Sequence, residues 1–126
     1  MKNILLLTIA LSFVNLFAQE NCEKFKTGTF RMSDSTINFE CTITRNDSLQ
    51  IETVKGSNEV SVYKVAWPSA CEYTLQMISG KSPDLELFKD KILRVKILAT
   101  EEDNYTYEAK MDGIDLVVSE TIYIID

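Results

Sequence analysis

The chain has 126 residues and a net charge of −6 at pH 7, from 13 basic and 19 acidic side chains. That is one domain of ordinary size, and its charge repels nucleic-acid phosphates and anionic lipid headgroups. It contains no histidine, which excludes Ser-His and Cys-His nucleophile pairs and the usual zinc sites.

Residues 1–18 read as a removable export signal. Lys2 supplies the positive start, an apolar stretch runs to Phe17, and Ala18 offers the small residue of a cleavage site. The apolar stretch falls short of the roughly 20 residues that span a bilayer. Gln19-Glu20-Asn21 ahead of Cys22 is bulky and polar where lipid attachment needs small apolar residues. Residues 19–126 then form a single exported domain, periplasmic or secreted, with a net charge of about −7 once Lys2 is gone. No later stretch suits membrane insertion.

Short β-rich runs follow at spacings typical of an antiparallel all-β meander. Strands are expected at 28–32, 37–45, 49–54, 59–67, 71–78, 91–100, 105–111 and 114–125. Ser, Asn, Asp, Gly and Pro clusters punctuate them. One short helix interrupts the series, with Ser82 as N-cap, Pro83 in its first turn, and an end by Lys89. The whole predicts about eight strands in a closed or half-open barrel.

Cys41 alternates inward with Ile37, Phe39 and Ile43, so its thiol reads as a small buried hydrophobe. Cys22 precedes the first strand and Cys71 follows a Pro68 corner. Both lie at element ends, where geometry adjusts to a bridge, and an exported chain meets an oxidising compartment. Cys22–Cys71 is therefore the favoured disulfide.

Arg45 ends its strand on the inward phase in either register of the next hairpin. A two-residue loop at Asn46-Asp47 turns Gln50 and Glu52 inward. A three-residue loop ending at Ser48 pairs Arg45 with Leu49 and Ile43 with Ile51, and core burial favours this version. Arg45, Gln50 and Glu52 could group at the mouth of a cavity and meet a ligand head group; otherwise Arg45 reaches solvent past the rim. Trp67 shares one strand face with Tyr63 and Val65, and Tyr73 another with Leu75 and Met77. Such aromatic faces are core, or pocket lining where a barrel is wider than its side chains fill.

Asp112-Gly113 is the strongest hairpin signal. It predicts Met111 opposite Ile114, Lys110 paired with Asp115, and Ala109 opposite Leu116. It also sets Tyr107 opposite Val118 and Glu120 inward opposite Tyr105, either near the barrel mouth, the favoured place, or in a cavity. The four glycines are scattered, so no phosphate loop forms. Nothing singles out a catalytic carboxylate pair, and neither enzyme activity nor a metal or cofactor is expected.

The segments "CEKFKTGTF" (22–30), "ITRNDSLQIE" (43–52) and "AWPSACEYTL" (66–75) resemble a family of short exported bacterial all-β proteins. Some of its members carry a DNA topoisomerase IV label, which the length, acidity and export signal of this chain contradict. The resemblance implies no established activity. Its two recurring cysteines match Cys22 and Cys71, and Cys41 lies outside the pattern. The Gly28-Thr29-Phe30 opening also resembles lipocalin-like proteins, whose barrels hold apolar ligands. The expected function is non-enzymatic binding of a small apolar ligand through Arg45, Gln50, Glu52, Trp67 and Tyr73. The alternative is a module that binds an envelope protein through its outer surface, with no cavity.

Overall fold

The computed structural model describes residues 21–125, so the expected export signal lies outside the described residues. Eight strands close into one antiparallel barrel in sequence order. They are β1 (Gly28–Asp34), β2 (Phe39–Arg45), β3 (Leu49–Val54), β4 (Val60–Ser69), β5 (Glu72–Ser79), β6 (Leu93–Thr100), β7 (Asn104–Met111) and β8 (Val117–Ile125). A 3-10 turn at Glu23–Phe25 precedes them, and a short helix α1 (Asp84–Phe88) joins β5 to β6. The seam pairs Thr29 with Ile125, Phe30 with Ile124 and Arg31 with Tyr123, which joins the first strand to the last.

The strands form because apolar side chains recur at every second position. Cys41, Ile43 and Arg45 are the buried positions of β2, and Tyr105, Tyr107 and Ala109 those of β7. At one end the strands meet in short turns, at 46–48, 70–71 and 101–103. The N-terminal segment folds across this end. Phe25 has no exposed surface and packs on Tyr105 at 4.9 Å between ring centroids. The Lys24 ammonium donates to the Glu102 carbonyl. The other end carries the longer connections and remains the mouth.

The disulfide joins Cys22 to Cys71, as expected, across 49 residues of sequence with Cα atoms 5.3 Å apart. It fastens the N-terminal segment to the β4–β5 turn. Cys41 is a free, buried thiol. Burial above all, with the Glu52 carboxylate adding to it, pushes this thiol up to about 12.

Several local expectations are corrected. Pro68 is no corner: β4 runs on to Ser69, and its register against β5 shifts between Ala66 and Ser69, where proline has no N–H to offer the ladder. Ile37 lies in the β1–β2 turn and is exposed. Pro83, not Ser82, holds the N-cap position of α1. The last hairpin keeps its phase but slips by two residues, pairing Ala109 with Val118, Lys110 with Val117 and Tyr107 with Glu120. The cause lies at its tip. Asp112 pairs with Arg94 at 2.9 Å, and its N–H donates to the Ile92 carbonyl. That docks the turn onto the start of β6 instead of letting 114–116 continue the ladder. No Lys110–Asp115 pairing forms. Leu116 falls outside the strand and is exposed, while Val118 keeps the inner phase opposite Ala109 but is also exposed, near the mouth. Gly113 still adopts the positive φ of the turn, at +81°.

The wall between β5 and β6 is incomplete. Their pairing stops at Leu75 with Leu93, although β5 continues to Ser79. α1 lies against this stretch, and Gln76 Nε2 donates to the Lys89 carbonyl at 3.1 Å just beyond the helix.

Replacing Cys22 and Cys71 by alanine should cost about 2–5 kcal/mol of unfolding free energy, because the bridge closes a long loop. Urea denaturation of the oxidised protein and the double variant measures it. In the same samples a thiol reagent should leave Cys41 unmodified until the protein unfolds.

Candidate functional site

Arg45 is the last residue of β2 and sits inside the closed end of the barrel, 2% exposed. What places it there is the β2–β3 turn. Asn46 Oδ1 accepts the N–H groups of Ser48 and Leu49 at 2.9 and 2.8 Å, and the Asn46 N–H donates to the Leu49 carbonyl. This side-chain turn spans one residue more than the favoured loop, so Arg45 pairs with Gln50 and Ile43 with Glu52. The expectation that Leu49 and Ile51 point inward is overturned. Gln50 is buried and Ile51 is exposed. A buried guanidinium needs acceptors, and this register supplies one where the favoured register would have supplied leucine.

The guanidinium donates from every nitrogen. Nε reaches Gln50 Oε1 at 2.8 Å and Nη1 the Phe25 carbonyl at 2.7 Å. Nη2 reaches the Tyr105 and Tyr73 hydroxyls at 3.0 and 3.3 Å, and those hydroxyls lie 2.8 Å apart. The rings of Phe30 and Tyr73 flank its plane, with centroids 4.9 and 4.5 Å away. Burial alone would pull this group down, but Tyr73 and Tyr105 beside it reverse the shift and it stays charged. Among the described residues no carboxylate forms a direct ion pair with it. Its link to a carboxylate runs through Gln50, whose Nε2 donates to Glu52 Oε2 at 2.7 Å.

Glu52 is where this chain of bonds meets open space. It lines a cavity of about 160 Å³ with Met32, Ile43, Tyr63, Leu75 and Tyr107 among the wall residues. Burial, the largest cause, holds its carboxyl above the ordinary value, against the Gln50 hydrogen bond and the Arg45 charge. A second cavity of about 130 Å³ shares Tyr63, Leu75 and Leu93 with the first and extends to Phe88 and Lys91 beneath α1. Nearer the mouth, Glu120 and Ile37 flank a shallower hollow with Phe39 and Tyr107. That agrees with the expected place of Glu120 near the mouth, although it stands opposite Tyr107 and not Tyr105. A larger hollow of about 580 Å³ lies outside the barrel, beside Asp34 and Lys55. It is open and polar and encloses nothing.

Gln50, Glu52 and Tyr73 thus line the inner cavity together. Arg45 stands behind them, neither at the mouth nor past the rim. Trp67 is outside the cavity wall. Its ring packs on Tyr73 at 4.7 Å, and Lys26 lies over it at 5.4 Å. Its buried Nε1 finds no acceptor among the described residues. Tyr105 and the Phe25 carbonyl could not be read from the sequence as partners of Arg45. They lie 60 and 20 residues away in sequence, and one is a backbone atom. Among the described residues no cluster of carboxylates and cysteines could hold a metal ion, and no helix is long and apolar enough to cross a membrane.

No family model, no curated protein and no solved structure matches this chain.

Arg45→Ala should cost about 3–5 kcal/mol, because it leaves Gln50, two tyrosine hydroxyls and a carbonyl without their donor. Arg45→Lys should recover little of it, since one ammonium cannot span four acceptors. Urea unfolding of both variants tests this. Glu52 makes a pH signature. Its folded carboxyl binds a proton more tightly than the unfolded one does, so its contribution is full below the unfolded value. That contribution is lost as pH rises through the raised folded value. As pH rises from about 4 through the raised folded value, the wild type should therefore lose stability relative to Glu52→Gln in parallel urea titrations.

Proposed function

We propose that this chain is an exported, non-enzymatic binding protein that holds a small apolar ligand inside its barrel. The observation that carries the reading is the inner cavity of about 160 Å³, whose wall is mostly aliphatic and aromatic. An eight-stranded barrel is just wide enough to be filled by its own side chains or to hold one small molecule. Here the closed end is filled and the middle is not. Dry apolar cavities of about 150 Å³ bind molecules of benzene size, and the second cavity beneath α1 leaves room for a longer one. The disulfide suits an oxidising compartment, in line with the leader-like first eighteen residues.

A second reading has its own support. Ile37, Leu87 and Leu116 are 69, 58 and 62% exposed around the mouth, with Ile114 and Val117 beside Leu116. Such an apolar rim suits contact with an envelope protein. The two readings part on whether the cavity is used.

Native mass spectrometry of the protein purified from its own cells separates them. The binding reading expects an adduct that survives gentle ionisation and disappears on denaturation. Leu75→Trp, which fills the space shared by both cavities, should stay folded and lose the adduct. A bare protein that also fails to take up added toluene would set the cavity aside in favour of the rim.

A further inference from the structure

Resting on that reading, we infer that the ligand is a small apolar amine, held with its ammonium against the Glu52 carboxylate among the rings of Tyr63, Tyr73 and Tyr107. Among the described residues Glu52 is the one carboxylate lining the cavity, and the three tyrosines line the same space. The other polar groups on the wall are already engaged. The Gln50 amide is tied at its oxygen to Arg45 and at its nitrogen to Glu52. The Tyr73 hydroxyl is shared with Arg45 and Tyr105, the Tyr107 hydroxyl donates to Met32 Sδ, and the Tyr63 hydroxyl bonds to Ser61. What remains toward the ligand is one carboxylate and the faces of aromatic rings. A carboxylate favours a cation that donates hydrogen bonds, and ring faces attract ammonium groups.

Glu52 keeps accessible surface although protein surrounds it on most sides, because that surface opens on the cavity. An anionic ligand would meet this carboxylate first and be repelled. Arg45 does not reverse the preference. It lies two hydrogen bonds behind the cavity face of Glu52, so its repulsion of an incoming ammonium is weaker than the direct attraction. Burial works against the ionised form of Glu52, and the Gln50 hydrogen bond and the Arg45 charge favour it. The net charge of the chain draws cations toward it.

Benzylamine, benzyl alcohol and toluene share a ring and differ at the polar end, so titration calorimetry at about pH 7 with all three tests the inference. Benzylamine should bind about tenfold to a hundredfold more tightly than benzyl alcohol, the range of one charged hydrogen bond. Glu52→Gln should abolish that margin. Tyr63→Leu should weaken benzylamine by about threefold or more, as expected for a lost cation–ring contact. In wild-type protein carrying 13C in its glutamate carboxyl groups, the pH midpoint of the Glu52 signal should fall with benzylamine and not with toluene. That readout holds even if a variant fails to fold. Equal affinity for all three probes would overturn the amine assignment and leave apolar binding intact. An amine preference that survives Glu52→Gln in a folded variant would overturn the role of Glu52. Failure of every probe to bind would overturn the apolar-ligand reading itself.

Discussion

A guanidinium removed from water must find an acceptor for each of its donors, and Arg45 imposes that condition on the closed end of this barrel. Five strands and the N-terminal segment answer it: β2 carries the residue, β3 gives Gln50, β5 gives Tyr73, β7 gives Tyr105, β1 gives the ring of Phe30, and Phe25 gives a carbonyl. Each partner is fixed in turn by the charge it serves. The group therefore does more than fill space. An apolar residue could occupy the volume but would not select one register for β2 against β3, nor hold the N-terminal segment at one height over the barrel. Buried charge is a costly way to stabilise a protein and an effective way to make one arrangement the right one.

The two ends of the barrel consequently differ in kind. The closed end is covalently stapled, aromatic and short-looped, and the polar groups around Arg45 are bonded to one another. The mouth has longer connections and exposed apolar side chains. Between them the polar chain runs outward from Arg45 through Gln50 and ends at Glu52, so the charge at the base is felt in the cavity only after two relays. A carboxylate that would be drawn into an ion pair if it touched Arg45 is instead left facing the space.

The fold was legible because its signals are local. Period-two alternation and turn residues marked eight strands, and strand phase separated the buried Cys41 from the bridging Cys22 and Cys71. Phase also put Arg45 inside. Registers were harder, since a strand face obeys hydrophobicity only when nothing stronger competes. At the β2–β3 turn, hydrophobicity argued for Leu49 and Ile51, while the needs of Arg45 and the side-chain turn of Asn46 argued for Gln50 and Glu52, and the second pair prevailed. At the β7–β8 turn, Asp112-Gly113 marked the reversal correctly, yet Asp112 was claimed by Arg94, a residue 18 positions away. Slipping by two keeps every inner side chain inner, which is why Tyr105, Tyr107 and Ala109 were placed rightly despite the wrong partners. The cavity could be raised from the sequence only as one of two readings of its aromatic faces, because a void is a property of how side chains fail to meet.

The short pairing of β5 with β6 gives the barrel a side wall closed by a helix of five residues where hydrogen bonds between strands would otherwise be. Opening that wall requires α1 to lift and leaves the strand ladders, the disulfide and the Arg45 cluster untouched. Such a local opening draws on a small free energy of its own, separate from that of global unfolding. Access to the space beneath α1 and stability of the barrel are thereby uncoupled. The barrel can be durable as a whole and still open locally beside Phe88.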